Sequence, residues 1–280
     1  MECGEPIPRA ADRCPHCGRP SLFPNLHEPS TTMERTALLA RYTEAKQRAV
    51  ARGAQAPLQQ FEQLTDTSQA VLCRPWAEVS RLALAESEIY ATFYQRTEAG
   101  LRIPDGDPWD RLRAAADALL FGDSGKKHVR FGALSLDGVG LERYGECSLA
   151  LKEKMIAHRS TLIERNSVVF MKQHRVSAST DYALPTGYRA GWADRGKLAV
   201  AKLADAIEPA TAPADFARRL LNPGPDGWGD DFVEVHIWGS LTIRSMEQVV
   251  VRRWQNKPRK SEVQALRAKL KVFNVVLQVP

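Results

Sequence analysis

The chain predicts an α+β protein in three parts, on three observations. Three of its five cysteines fall within the first seventeen residues; apolar residues then recur at helical spacing from about residue 31 to 122; from about residue 127 the pattern changes to short alternating runs of strand length. The 280 residues divide into a cysteine-bearing segment and linker (1–28), a helical region (29–124) and a strand-rich region (125–280).

Composition sets the frame. A hydrophobic share of 44% and a charged share of 26% describe an ordinary globular chain and exclude low-complexity, collagen-like and membrane-embedded classes. No apolar run approaches the ~20 residues of a membrane span. The N-terminus lacks the apolar stretch of a signal peptide, so a cytoplasmic protein is expected. Net charge is +6, a surplus that permits an anionic partner without requiring one.

In the first part, Cys14-Pro-His-Cys17-Gly forms the turn that directs two thiolates at one ion, and Cys3-Gly4 resembles half of a second such turn. Cys3, Cys14 and Cys17 are therefore the expected ligands of a structural zinc in a zinc-ribbon-like segment. A closed site needs four ligands. Either the missing cysteine would precede Met1, or His16 or His27 supplies the fourth, or the loop is reduced and metal-free.

In the second part, Thr31-x-x-Glu34 is a capping box ahead of Leu38, Leu39, Tyr42, Ala45 and Ala49, and Gly53 ends that helix. Leu58, Phe61 and Leu64 begin a second helix, and residues 76–94 read as a third. Asp107-Pro108 opens a fourth, with Trp109, Leu112, Ala116, Leu119 and Leu120 as its stripe before Gly122. The glycines around 122–125 and 138–140 lack the spacing of a phosphate or dinucleotide loop and read as turns.

In the third part, residues 128–136, 145–151 and 167–171 read as strands. Residues 231–238 alternate cleanly: Phe232, Glu234, His236 and Trp238 share one face, and Val233, Val235 and Ile237 the other. A carboxylate and an imidazole between two aromatics suggest a cleft wall.

Three segments in chain order resemble the ADP-ribosyltransferase fold of bacterial toxins: the strand around Arg130 with Tyr144-Gly145 after it; Arg159-Ser160-Thr161 ahead of Asn166-Ser167; and the strand through Glu234, followed by Met246-Glu247-Gln-Val-Val-Val251. The resemblance covers roughly residues 125–255. It implies a mixed β-sandwich catalytic domain and a transferase that takes ADP-ribose from NAD. It also implies roles. Glu234 would stabilise the oxocarbenium-like charge on the ribose, with Glu247 in reserve; Arg130 would pair with the pyrophosphate; Tyr144 would stack on a ring; Ser160 and Thr161 would order the nicotinamide side. Enzymes of the family that modify arginine usually carry an acid or amide two residues before the glutamate, where this chain has Phe232, which argues against an arginine acceptor.

Tyr188, Arg189, Trp192 and Arg195 interleave aromatics with cations, as base stacking and phosphate binding require, or as an insertion covering the cleft would. Residues 222–231 form a loop just before Glu234 that would set specificity. Arg252, Arg253, Lys257, Arg259, Lys260, Arg267, Lys269 and Lys271 form a basic tail around Trp254, before a final strand. The expected function is thus mono-ADP-ribosylation of a macromolecule, nucleic acid slightly ahead of protein. The resemblance places it in a toxin–antitoxin or phage-defence setting with a protein inhibitor. The alternative is a non-catalytic nucleic-acid-binding protein on a decayed transferase scaffold.

Overall fold

The computed structural model describes residues 13, 18, 23–101, 108–177, 184–226, 228–254 and 256–280. The chain is mixed α+β, built on a large mixed sheet. Cys3, Cys14 and Cys17 lie outside the described residues, among which no group of His, Cys, Asp and Glu could hold a metal ion.

Among the described residues ten strands form in chain order: β1 (Gln69–Arg74), β2 (Val129–Ser135), β3 (Cys147–Leu151), β4 (Ser160–Ile163), β5 (Arg189–Gly191), β6 (Leu221–Asn222), β7 (Asp231–Phe232), β8 (Glu234–Trp238), β9 (Met246–Val251) and β10 (Val276–Gln278). Eight join one sheet in the order β10-β9-β3-β1-β2-β8-β4-β5, and β6 pairs with β7 in a separate two-stranded ribbon. All pairs are antiparallel except β9 with β10. Instead of two comparable packed sheets, eight of these strands make one continuous sheet. One of its two central strands, β1, comes from the stretch expected to be helical.

The helices are α1 (Thr32–Ala51), α2 (Gln55–Asp66), α3 (Trp76–Leu82), α4 (Phe93–Glu98), α5 (Pro108–Gly125), α6 (Glu153–Ile156), α7 (Ser167–Gln173), α8 (Arg195–Leu203), α9 (Phe216–Leu220) and α10 (Lys260–Val272). Helices α1 and α2 both pack on α8. Leu38, Phe61, Leu198 and Phe216 share a core with Val233, Val235 and Ile237, the apolar face predicted for β8. The opposite face, through Ile163, lies beneath α5 and α7 with Ala116, Val168 and Phe170.

Three local readings change. Residues 76–94 do not make one helix: α3 stops at Leu82, the chain is drawn to the sheet by a bridge from Ile89 to Thr242 and a bond from Tyr90 N to Leu241 O (2.8 Å), and α4 restarts at Thr92 with a capping box to Gln95. Residues 167–171, apolar enough for a strand, are helical because Asn166 Oδ1 accepts from Val168 N (3.1 Å) and Val169 N (3.4 Å), a side-chain cap that a β-propensity scan does not register. Thr31 caps α1 as expected, but Glu34 does not close the box. It is buried, ion-paired with Arg189, and accepts from Gly187 N at 2.6 Å.

Among the described residues no helix is long and apolar enough to cross a membrane.

Candidate active site

The site begins where the sheet opens. Strand β1 pairs with β2 through Val71↔Ala133, then continues to Arg74 beside β3 alone, while β2 continues beside β8. The strands part around Gly132, where a Cβ would stand 2.7 Å from Val71 O. The gap holds a cleft with a cavity volume of about 130 Å³, walled by β1, β2, β8 and helices α4, α5 and α7.

Glu234 is on its wall, 4% exposed. Three donors fix it: Asn166 Nδ2 to Oε2 (3.0 Å), Ser167 N to Oε1 (3.1 Å), and His236 Nε2 to Oε1 (2.9 Å). A carboxylate has about four acceptor sites, so one remains, on Oε2. The rings of Phe121 and Phe131 stand edge-on to His236, at 4.9 and 5.3 Å, and hold it.

Three arginines are among the residues that line the same cleft, Arg74, Arg113 and Arg130, and Arg130 lies opposite Ile237, on the face of β2 away from Glu234. Within the described residues none is paired with a carboxylate. Arg130 is 2% exposed; its Nη atoms reach His128 O (2.9 Å), Tyr90 O (3.5 Å) and Gln95 Oε1 (3.3 Å), and its Nε has no partner among the described residues. Burial first, and then Arg159, lower its pKa to about 10. Arg74 lies over the Tyr90 ring at 4.2 Å, gives Nη1 to Cys73 O (2.8 Å), and its buried Nε is also unpartnered among the described residues. A buried cation without an acid, as Arg130 is, is costly and fits an anion held from outside. Aromatic rings alternate with them: Tyr90, Phe93, Tyr94, Phe131, Tyr144 and Phe232. Tyr144 sits at the rim, 36% exposed, carried in by Gly145 (φ 137°), where a Cβ would lie 2.1 Å from Arg74 C.

One acid beside Glu234 is unannounced by the sequence patterns. Asp117 on α5 is 1% exposed and lines the cleft. Its Oδ2 accepts from Tyr94 OH at 2.7 Å, and its Oδ1 has no partner among the described residues. Burial pushes its pKa up to about 7, outweighing the Tyr94 hydrogen bond; the nearby Glu234 charge raises it further. Burial likewise raises the Tyr94 hydroxyl.

Of the expected site residues, the structure brings together Glu234, Arg130 and Tyr144. It does not bring in Ser160 and Thr161. Ser160 pairs with Ile237 on the core face and donates to Ile156 O (2.8 Å); Thr161 lies beside His236 but turns to Asn25 (3.4 Å). Besides His236, the residues that touch Glu234 are instead Asn166 and Ser167, six positions on, because the chain leaves β4 at Ile163 and turns back over the sheet as α7. Glu247 is exposed and bound by Gln69 (2.7 Å), outside the cleft.

The aromatic–cation segment is not a binding surface. Arg189 is buried between Glu28 and Glu34; Arg195 is buried too, pairs with Glu153 (3.3 Å) and stacks on Trp192; Arg41 covers Tyr188. Each cation has a fixed internal partner. The 222–231 loop is also tied: Arg143 pairs with the buried Asp230 (2.9 Å), and Trp228 packs edge-on to Trp109 at 4.3 Å. The basic tail differs. Arg252 pairs with Asp137, but Arg253, Lys257, Arg259, Lys260, Arg267, Lys269 and Lys271 are exposed. Trp254 anchors the segment by packing on Trp76 (5.1 Å), two residues after Arg74.

Arg74, Arg113, Tyr94 and Asp117 are not expected from the sequence patterns. The signals that could have found them are faint: a short apolar run ending in Arg74-Pro75, and an acid one turn before Phe121 in the helical stripe. No family model matches the chain, and no curated protein matches it.

Proposed function

We propose that the protein is a mono-ADP-ribosyltransferase that uses NAD and modifies a nucleic acid. The observation that carries this reading is the buried, triply hydrogen-bonded Glu234 in a cleft also lined by three arginines that no carboxylate among the described residues pairs with. The donor set fits NAD: cations for the pyrophosphate, tyrosine and phenylalanine faces for the rings, a fixed carboxylate for the ribose. NAD supplies a ribosyl bond to a positively charged leaving group.

Each side chain then has a task. Arg74 and Arg130 hold phosphate oxygens at the inner end, and Arg113 does so from α5. Tyr144 stacks at the rim. Glu234 faces the anomeric carbon with its free Oε2 site and stabilises the positive charge that develops there. Such a fixed charge is worth more in a dry cleft than in water. Asn166, Ser167 and His236 hold the carboxylate in place. The acceptor is nucleic acid because a long run of exposed cations, 253–271, is anchored through Trp254 beside the cleft wall. Activity of this kind harms the cell that carries it, which fits a toxin held by a protein inhibitor. Cys3, Cys14 and Cys17 carry no step.

Purified protein and its Glu234→Gln variant, incubated with adenylate-labelled NAD and total RNA, DNA or lysate protein, test the reading. Label is expected on one nucleic-acid fraction with Glu234 only. Absence of nicotinamide release and of transfer overturns it. Transfer to protein alone overturns the choice of acceptor.

A further inference from the structure

We infer that Asp117 is the general base that takes the proton from the acceptor, an assignment that rests on the transferase reading above. The position two residues before Glu234 is Phe232, at the end of β7, so the chain leading into β8 offers no second acid there toward the cleft. Helix α5 offers one from the side. Asp117 is almost fully buried and lines the cleft; Tyr94 occupies its Oδ2 at 2.7 Å, and Oδ1 is left without a partner among the described residues. A buried carboxylate oxygen with no donor is a cost that packing does not require. A base is most effective when it titrates near the working pH, and burial brings Asp117 to about 7. The groups facing it are the Tyr94 hydroxyl from α4, Glu234 from β8, Arg113 from α5 and Lys126 just beyond α5.

In the step, an acceptor oxygen or nitrogen forms a bond to the ribose anomeric carbon. The bond from that carbon to the nicotinamide nitrogen breaks, and nicotinamide leaves neutral with the electron pair. The acceptor's proton passes to Asp117 Oδ1. Glu234 exchanges no proton.

The test uses the full chain, NAD, and water as acceptor. Nicotinamide release is followed from about pH 5 to about pH 9, with kcat and KM separated, in wild type, Asp117→Asn and Tyr94→Phe. Carboxyl carbon-13 NMR of aspartate-labelled protein without NAD reads the titration directly. Wild-type kcat is expected to rise through a limb near the pH at which one buried aspartate titrates. Asp117→Asn removes that resonance and the limb, and lowers kcat on the order of 10²-fold with KM within a few-fold. Tyr94→Phe, which takes away a donor to the carboxylate, moves limb and resonance together to higher pH. An active wild type whose limb persists in Asp117→Asn overturns the assignment alone. Should that variant not fold, a limb that stays in place in Tyr94→Phe while the resonance moves does the same. No nicotinamide release by wild type at any pH overturns the transferase reading, and this assignment with it.

Discussion

Asn166 holds two structures at once: its Oδ1 caps helix α7 while its Nδ2 donates to Glu234 Oε2 at 3.0 Å. The helix start and the carboxylate are thereby fixed by one side chain. Asn166→Asp keeps the cap but sets a second negative charge against Glu234. Thermal stability is expected to fall by more than in Asn166→Ala, which loses a cap worth ~1 kcal/mol but adds no buried charge, while nicotinamide release falls further than NAD affinity. Calorimetry with steady-state kinetics checks both; equal loss of kcat and stability in the two variants would contradict it.

Burying Asp117 sets a pH dependence on stability. Its folded pKa, about 7, lies above the ordinary 3.8, so between these values the folded chain binds more protons than the unfolded one. Stability from this group is full below pH ~4 and is lost as pH rises toward ~7, by on the order of 4 kcal/mol at most. Asp117→Asn removes the loss. Its melting temperature relative to wild type should climb across that window and level off above it; a difference independent of pH speaks against the burial effect.

Arg189 is buried, and Glu28 and Glu34 are its ion-pair partners. Glu34→Ala strands much of that charge in the core, also freeing Gly187 N, and should cost roughly 3–5 kcal/mol. Glu34→Gln retains hydrogen bonding and should cost less. Urea denaturation of the two variants measures the order.

The exposed cations around α10 predict a salt-dependent affinity. Replacing Lys257, Lys260, Arg267 and Lys271 by Gln should weaken RNA binding at every sequence. It should also flatten the slope of log K against log salt, by about one for each phosphate no longer neutralised. Nicotinamide release with water as acceptor should be unaffected. An unchanged slope in a binding titration would remove this surface from the acceptor site.

Gly145 stands where a side chain would meet the Arg74 backbone, 2.1 Å from its carbonyl carbon, at φ 137°. Gly145→Ala is expected to push Tyr144 and the end of β1 apart. NAD affinity should fall on the order of tenfold, an effect read by calorimetric titration, with Asp117 still titrating near its original pH.

Elements whose signal is periodic and local are legible in the chain without its fold. The α1 cap at Thr31, the stripes of α1 and α2 apart from Leu39 and Leu64, which the structure leaves exposed, and the two faces of β8 follow from side chains within a few residues of one another. Glu234 is legible for that reason: period two puts it opposite Val233 and Val235, and the structure keeps it there. Features that depend on groups far apart in the chain emerge only on folding. Strand β1 is six residues between helices, and it becomes one of the two central strands of the sheet through β2 and β3, which follow much later. The basic residues around 189–195 have the pattern of a binding surface until Glu28, Glu34 and Glu153 neutralise them. Asp117 carries no signal of its own in the helical stripe; folding buries it and sets Tyr94 on its Oδ2. Burial and charge compensation are properties of the assembled neighbourhood; they turn an ordinary acid into one that titrates near neutral pH, and no window of sequence contains them.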